Sequence, residues 1–159
     1  VAVSSATPID KKQVVFVAGA RRDFENLPAK VKDEATEALS ELQNESFPGA
    51  GRYKLLTGDA TLEGIGEIRS QGDDGNTYRV YNVITYKEVV YVLDAGWKKS
   101  AHGGAIPAAD KRRLVRRKFI AEQDYQQNFT DYQEQFDKRR MRRERLLNLI
   151  AASRRPKGA

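Results

Sequence analysis

Three hydrophobic patterns follow one another along the chain, and each predicts a different element. "VVFVAGA" (Val14–Ala20) is a short apolar run closed by glycine, which predicts a first strand. Phe24, Leu27, Val31, Ala35, Ala38 and Leu42 then recur at spacings of three and four, the mark of a helix with one apolar face. Pro28 has no N–H to give the helical ladder, so two helical pieces or a kink are expected there. "SFPGAGRYKLLTGDATLEGIG" is rich in glycine and turn formers and reads as an irregular crossing.

Alternation with period two then predicts strands at about 65–70, 77–85 and 89–97. The first two are joined by "QGDDGN", the last two by a tight turn at Tyr86–Lys87. Pro107 suits the first turn of a helix that runs on through "AADKRRLVRRKFIAEQDYQQ". Tyr125, Phe129, Tyr132 and Phe136 keep a four-three-four spacing on one face, and a basic helical segment with a frayed end follows. The order predicts an α+β domain over 14–126, with a loose arm at 1–13 and a basic helical extension over 127–159.

A turn at Tyr86–Lys87 would pair Arg79 with Asp94 and Tyr81 with Val92. Tyr78, Val80 and Ile84 would then meet Ala95, Leu93 and Val89 on an apolar face. The opposite face would carry Arg79, Tyr81, Asp94 and Val92, and continue through Gly96 to Lys98. If the "QGDDGN" loop sets Arg69 across from Arg79, Glu67 falls across from Tyr81 on the same side. A slip of one residue inverts every assignment. Two arginines directly opposite cost up to about 1 kcal/mol unless an anion lies between them. Two readings stay open: Glu67 and Asp94 supply that charge, or the arginines await a phosphate, with Gly96 leaving room for a ligand.

Composition and spacing leave both readings standing. The chain of 159 residues carries a net charge of +6, unevenly placed. Val1 to Trp97 holds 11 Lys/Arg against 15 Asp/Glu, net −4, and Lys98 to Ala159 holds 17 against 7, net +10. A segregated positive end points to a polyanion or an acidic protein partner, set against the plainer reading of a solvated basic helix. The absence of cysteine excludes disulfides and thiol nucleophiles and fits a reducing, cytoplasmic setting. A single histidine, His102, excludes a two-histidine ribonuclease mechanism, and no His/Asp spacing suggests a metal site. No apolar run reaches the roughly 18–20 residues of a membrane span, and the N-terminus lacks the pattern of a secretory signal.

The ordered set "KLLTG" (54–58), "EIR" (67–69), "YRV" (78–80) and "VYVLDAGWKKS" (90–100), with "IPAAD" after it, resembles the RelE/ParE toxin superfamily, in particular its phage-associated HigB-like branch. The resemblance spans Val14 to Gln126. Trp97 lies one position from the aromatic of the family pattern, "AHGGA" replaces a polar stretch, and the tail from Asn128 has no counterpart in compact members. The resemblance implies a small twisted antiparallel sheet with two N-terminal helices packed on one face. It further implies the toxin of a type II toxin–antitoxin pair, an endoribonuclease that cuts mRNA at the ribosome. Its partner would be a cognate antitoxin, expected to be of helix-turn-helix type and to bring the complex to operator DNA. No cofactor and no membrane are implied. Two alternatives share the fold: a ParE-like topoisomerase inhibitor, and a non-toxic phage-derived nucleic-acid-binding protein.

RNA cleavage of this kind needs a base for the 2′-hydroxyl, stabilisation of the phosphorane, and an acid for the 5′-oxygen. Arg69 and Arg79 would clamp the phosphate, since guanidinium stays charged and binds it bidentately. Lys98 would transfer the proton, with Lys99 the other candidate. Tyr81 and Lys54 are placed at the rim, and Glu67 as an arginine partner or a base. His102 and Trp97 are candidate RNA contacts, against plainer readings as a loop histidine and a core or rim aromatic. Arg139, Arg140, Arg142 and Arg143 form the densest cation cluster and suit phosphate contacts on a helix. The aromatic series reads as a packing seam.

Overall fold

The computed structural model describes residues 12–49, 51–97, 106–156 and 158. The elements run β1 (Gln13–Phe16), α1 (Ala20–Glu25), α2 (Ala29–Gln43), β2 (Tyr53–Leu55), a single 3-10 turn η1 (Ala60–Leu62), β3 (Ile65–Gln71), β4 (Thr77–Val83), β5 (Val89–Trp97) and α3 (Ala108–Ser153). Pro28 separates rather than kinks: extended at φ −53, ψ 145, it caps α2, and its carbonyl accepts the Lys32 amide at 2.8 Å.

One five-stranded sheet runs in the order β1-β5-β4-β3-β2. β3, β4 and β5 form the expected antiparallel meander, but the sheet is mixed, because β1 lies parallel to β5, Gln13 beside Val89 through Phe16 beside Val92. The chain crosses one face as α1 and α2 between β1 and the rest, and β1 covers an edge of β5 that would otherwise stand unpaired. The crossing read as irregular contains β2, three residues paired to β3. Gly66 makes room for it: a Cβ there would lie 1.9 Å from the Tyr53 hydroxyl.

The β4–β5 register differs from expectation. The strands are joined by 84–88 rather than by two residues, so Arg79 pairs with Gly96 and Tyr81 with Asp94, while Asn82 pairs with Val92. A bulge therefore sits at Leu93. It turns Leu93 and Asp94 to one side, and the bulged carbonyl accepts from buried Arg117 at 2.8 Å. The predicted apolar face is thus redistributed. Val80, Val92 and Ala95 pack with Phe24, Val31 and Leu39 of α1 and α2. Val89 and Leu93 instead join Tyr81, Val83 and Tyr91 on the other face, under Leu114 and Ala121 of α3.

Helices therefore cover both faces, and α3 is one unbroken rod of 46 residues, about 70 Å at the usual rise. Tyrosines fix it to the sheet. Asp124 accepts from Tyr91 at 2.7 Å and Tyr132 at 2.5 Å, and Glu88 accepts from Tyr125 at 2.6 Å. The Tyr86 ring stacks on Tyr125 with centroids 4.0 Å apart. The aromatic series is the seam expected of it. Its last ring, Phe136, carries the Lys87 ammonium 5.4 Å from its centroid.

Candidate nucleic-acid interface

α3 leaves the β2–β4 side of its sheet face uncovered, and a cleft of about 410 Å³ opens there. Lys54, Glu67, Arg69, Arg79 and Tyr81 come from the strands, Thr57 to Asp59 and Leu62 from the loop and η1, and Ile106, Pro107 and Lys111 from the start of α3. Arg69 and Arg79 stand directly across from each other, and Glu67 across from Tyr81 and Lys54, as sheet alternation requires.

Glu67 is the hub. Its side chain is 3% exposed, and its Oε1 accepts from Arg69 Nε at 2.5 Å, with Arg79 Nε at 3.5 Å and Lys54 Nζ at 4.0 Å. The carboxylate holds the two guanidiniums side by side. Both meet it through Nε. Lys54 stands at the rim, half exposed. Tyr81 does not: it is 2% exposed and forms the floor. Burial, reinforced by the Glu67 carboxylate, pushes its phenol well above the ordinary range, so it is a neutral hydrogen-bond donor and not a base.

Asp94, a candidate counter-charge for Arg79, pairs with Tyr81 instead, because the bulge moves it one pair along the same face. Arg113 donates to its Oδ2 at 3.1 Å and Arg117 to its Oδ1 at 3.2 Å, which anchors α3 to β5. The charged lining thus comprises Lys54, Arg69, Arg79 and Lys111 against Glu67 and Asp59, an excess of cations. Asp59 pairs with Lys111 and accepts the Thr61 amide at 2.9 Å. The Lys111 contact, then the Thr61 bonds, hold its carboxyl down to about 2. Lys111, Asp59, Arg113 and Arg117 are absent from the sequence reading. The D-x-T cap of Asp59 was a visible signal, whereas the arginine roles depend on the bulge.

Gly96, across from Arg79, has φ 154, and a Cβ there would meet nothing within 4 Å. Trp97 is half exposed and pairs with Tyr78, whose ring packs against the α1/α2 core; its register places it away from the cleft face. Lys98, Lys99 and His102 lie outside the described residues. Arg139, Arg140, Arg142 and Arg143 lie on α3 beyond its last aromatic contact with the sheet domain and do not line the cleft. Among the described residues, no helix is long and apolar enough to cross a membrane.

A small α+β domain with a cation-lined cleft on a sheet face is the class that fold and site define. The family of phage-derived Gp49-like proteins (DUF891) matches residues 22–119, and the chain belongs to it. The phage association read from the motifs is met at that level. Among solved structures, a chain of the toxin–antitoxin complex RelBE2 from Mycobacterium tuberculosis is 26% identical, with a TM-score of 0.39 over 55% of this chain and 99% of that one. No curated protein matches the sequence.

Proposed function

We propose that this protein is a HigB-like toxin of a type II toxin–antitoxin pair, a metal-independent endoribonuclease that cuts mRNA at the ribosome in the cytoplasm. The observation that carries the reading is the pair of guanidiniums held abreast on buried Glu67 beside an open cleft. A phosphodiester brought into the cleft meets two guanidiniums already side by side, and their fixed positive charge is what a phosphorane needs. The 2′-oxygen forms a bond to phosphorus as the bond to the 5′-oxygen breaks. The 2′-proton goes to the base, and the leaving 5′-oxygen takes one up. Tyr81 donates a hydrogen bond from the floor and Lys54 draws the backbone in at the rim. Lys98 carries the proton, with Lys99 as the other candidate. The cognate antitoxin, of helix-turn-helix type, covers the cleft and carries the complex to operator DNA.

The test is induced expression followed by mapping of mRNA 5′ ends. The native chain should give discrete new ends and growth arrest. Arg79→Ala should reduce cleavage by about a hundredfold or more, and Lys98→Ala should reduce it as well. Cleavage at native levels in Arg79→Ala overturns the mechanism. Arrest with DNA damage and undisturbed translation assigns the chain to the ParE-like alternative, and absence of arrest to the non-toxic one.

A further inference from the structure

Next to the cleft lies a second, open hollow of about 470 Å³, lined by Thr61, Ala108, Lys111, Arg112, Val115 and Arg116. Lys111 borders both, so the two adjoin at the first turn of α3. Three cations and no carboxylate line the hollow. Lys111 is paired with Asp59, whereas Arg112 and Arg116 are exposed and without a partner. Among the described residues of 12–126 every other lysine and arginine, Arg22 apart, has a hydrogen bond, an ion pair or an aromatic ring. No carboxylate stands three or four residues from Arg112 or Arg116 along the helix. The two arginines are four apart from each other, a spacing at which like charges repel. An anion from outside the chain relieves that repulsion.

Phe119 narrows the choice of anion. It follows Arg116 by three residues and Val115 by four, so it lies one turn further along the same side of α3, and it is 59% exposed. Cations beside an open aromatic ring match what a single strand of nucleic acid presents, phosphates and the flat faces of unpaired bases. The hollow also continues the cleft, so one sugar–phosphate backbone can run through both, a continuity that an acidic peptide docked on α3 alone does not use. A second copy of the chain would bring its own unpaired arginines against these. We propose that this side of α3 binds single-stranded RNA that leaves the cleft past Lys111, with phosphates on Arg112 and Arg116 and one base stacked on Phe119. That the strand comes from the cleft rests on the ribonuclease reading above; the site on α3 does not.

The experiment follows, by fluorescence anisotropy on the full chain, the binding of a 2′-O-methyl RNA 12-mer, which has no 2′-hydroxyl to attack, and of the same backbone without bases. Arg112→Ala with Arg116→Ala should weaken both by about tenfold or more. It should also flatten the slope of log affinity against log salt by about 1.4, the share of two phosphates on a single strand. Phe119→Leu should weaken the RNA by about tenfold and leave the abasic strand unchanged, and Phe119→Trp should keep the native affinity. All three side chains are exposed, so circular dichroism should stay native. Native affinity in the double arginine variant, or no binding of the RNA by the native chain, overturns the inference. Equal loss of RNA and abasic strand in Phe119→Leu overturns the stacked base. Binding of a Glu-rich peptide without binding of RNA assigns the hollow to an acidic protein. In an Arg79→Ala background, where the toxin reading expects cleavage to be lost, the same substitutions should have the same relative effects, so the two claims fail separately.

Discussion

Arg69 and Arg79 face each other across β3 and β4, an arrangement that repels unless an anion lies nearby, and Glu67 is that anion. The two readings left open by the sequence are therefore compatible: Glu67 neutralises part of the charge and also fixes the guanidiniums that remain at the cleft. Glu67→Gln keeps the shape and removes the charge. It should cost about 2 kcal/mol in urea unfolding, less than a fully buried pair, because the cations reach water through the cleft. In the proposed reaction it should also tighten binding of a non-cleavable RNA while slowing cleavage, since the clamp gains charge and loses its alignment. Native stability in the variant would show that Glu67 is no hub. At this scale the cross-strand pairs of Arg69, Arg79, Glu67 and Tyr81 were legible, because β3 and β4 pair without a slip. Asp94 was not, because one extra residue in β5 redirected it to α3.

Between elements, the first turn of α3 is tied to η1 through Lys111 and Asp59. The Asp59 carboxyl lies at about 2, below its ordinary 3.8. A folded value below the unfolded one adds stability above the ordinary carboxylate range, and this is lost as pH falls through the folded value. Native chain and Asp59→Asn should therefore differ in urea midpoint at neutral pH and converge between about pH 4 and pH 2. A gap that stays constant with pH would remove the ion pair from the account. The existence of each long element was readable from its period. β2 was not, since three residues amid glycines carry no period, and only the Tyr53 ring over Gly66 shows why it pairs. The parallel placement of β1 was likewise hidden, as strand direction is a property of the crossing and not of the strand.

Across the whole molecule, the end of α3 stands apart from the core. Every residue from Leu146 to Pro156 is exposed, so ending the chain at Arg145 removes no described core contact. The thermal midpoint of that truncation should stay within a few degrees of the native one, as surface changes usually do. A large fall in the midpoint would mean that the tail stabilises the domain. Amino-acid order by itself determined the α+β class, the break at Pro28, the meander, the aromatic seam and the basic end, because these are local periods, ring and backbone chemistry, and charge counts. Tertiary structure alone decided which side of β5 each residue faces, the pairing of Asp94 with α3 and the closure of half the sheet face. Those depend on one bulge and one long helix, and no neighbouring residues in sequence encode where a bulge relaxes a register.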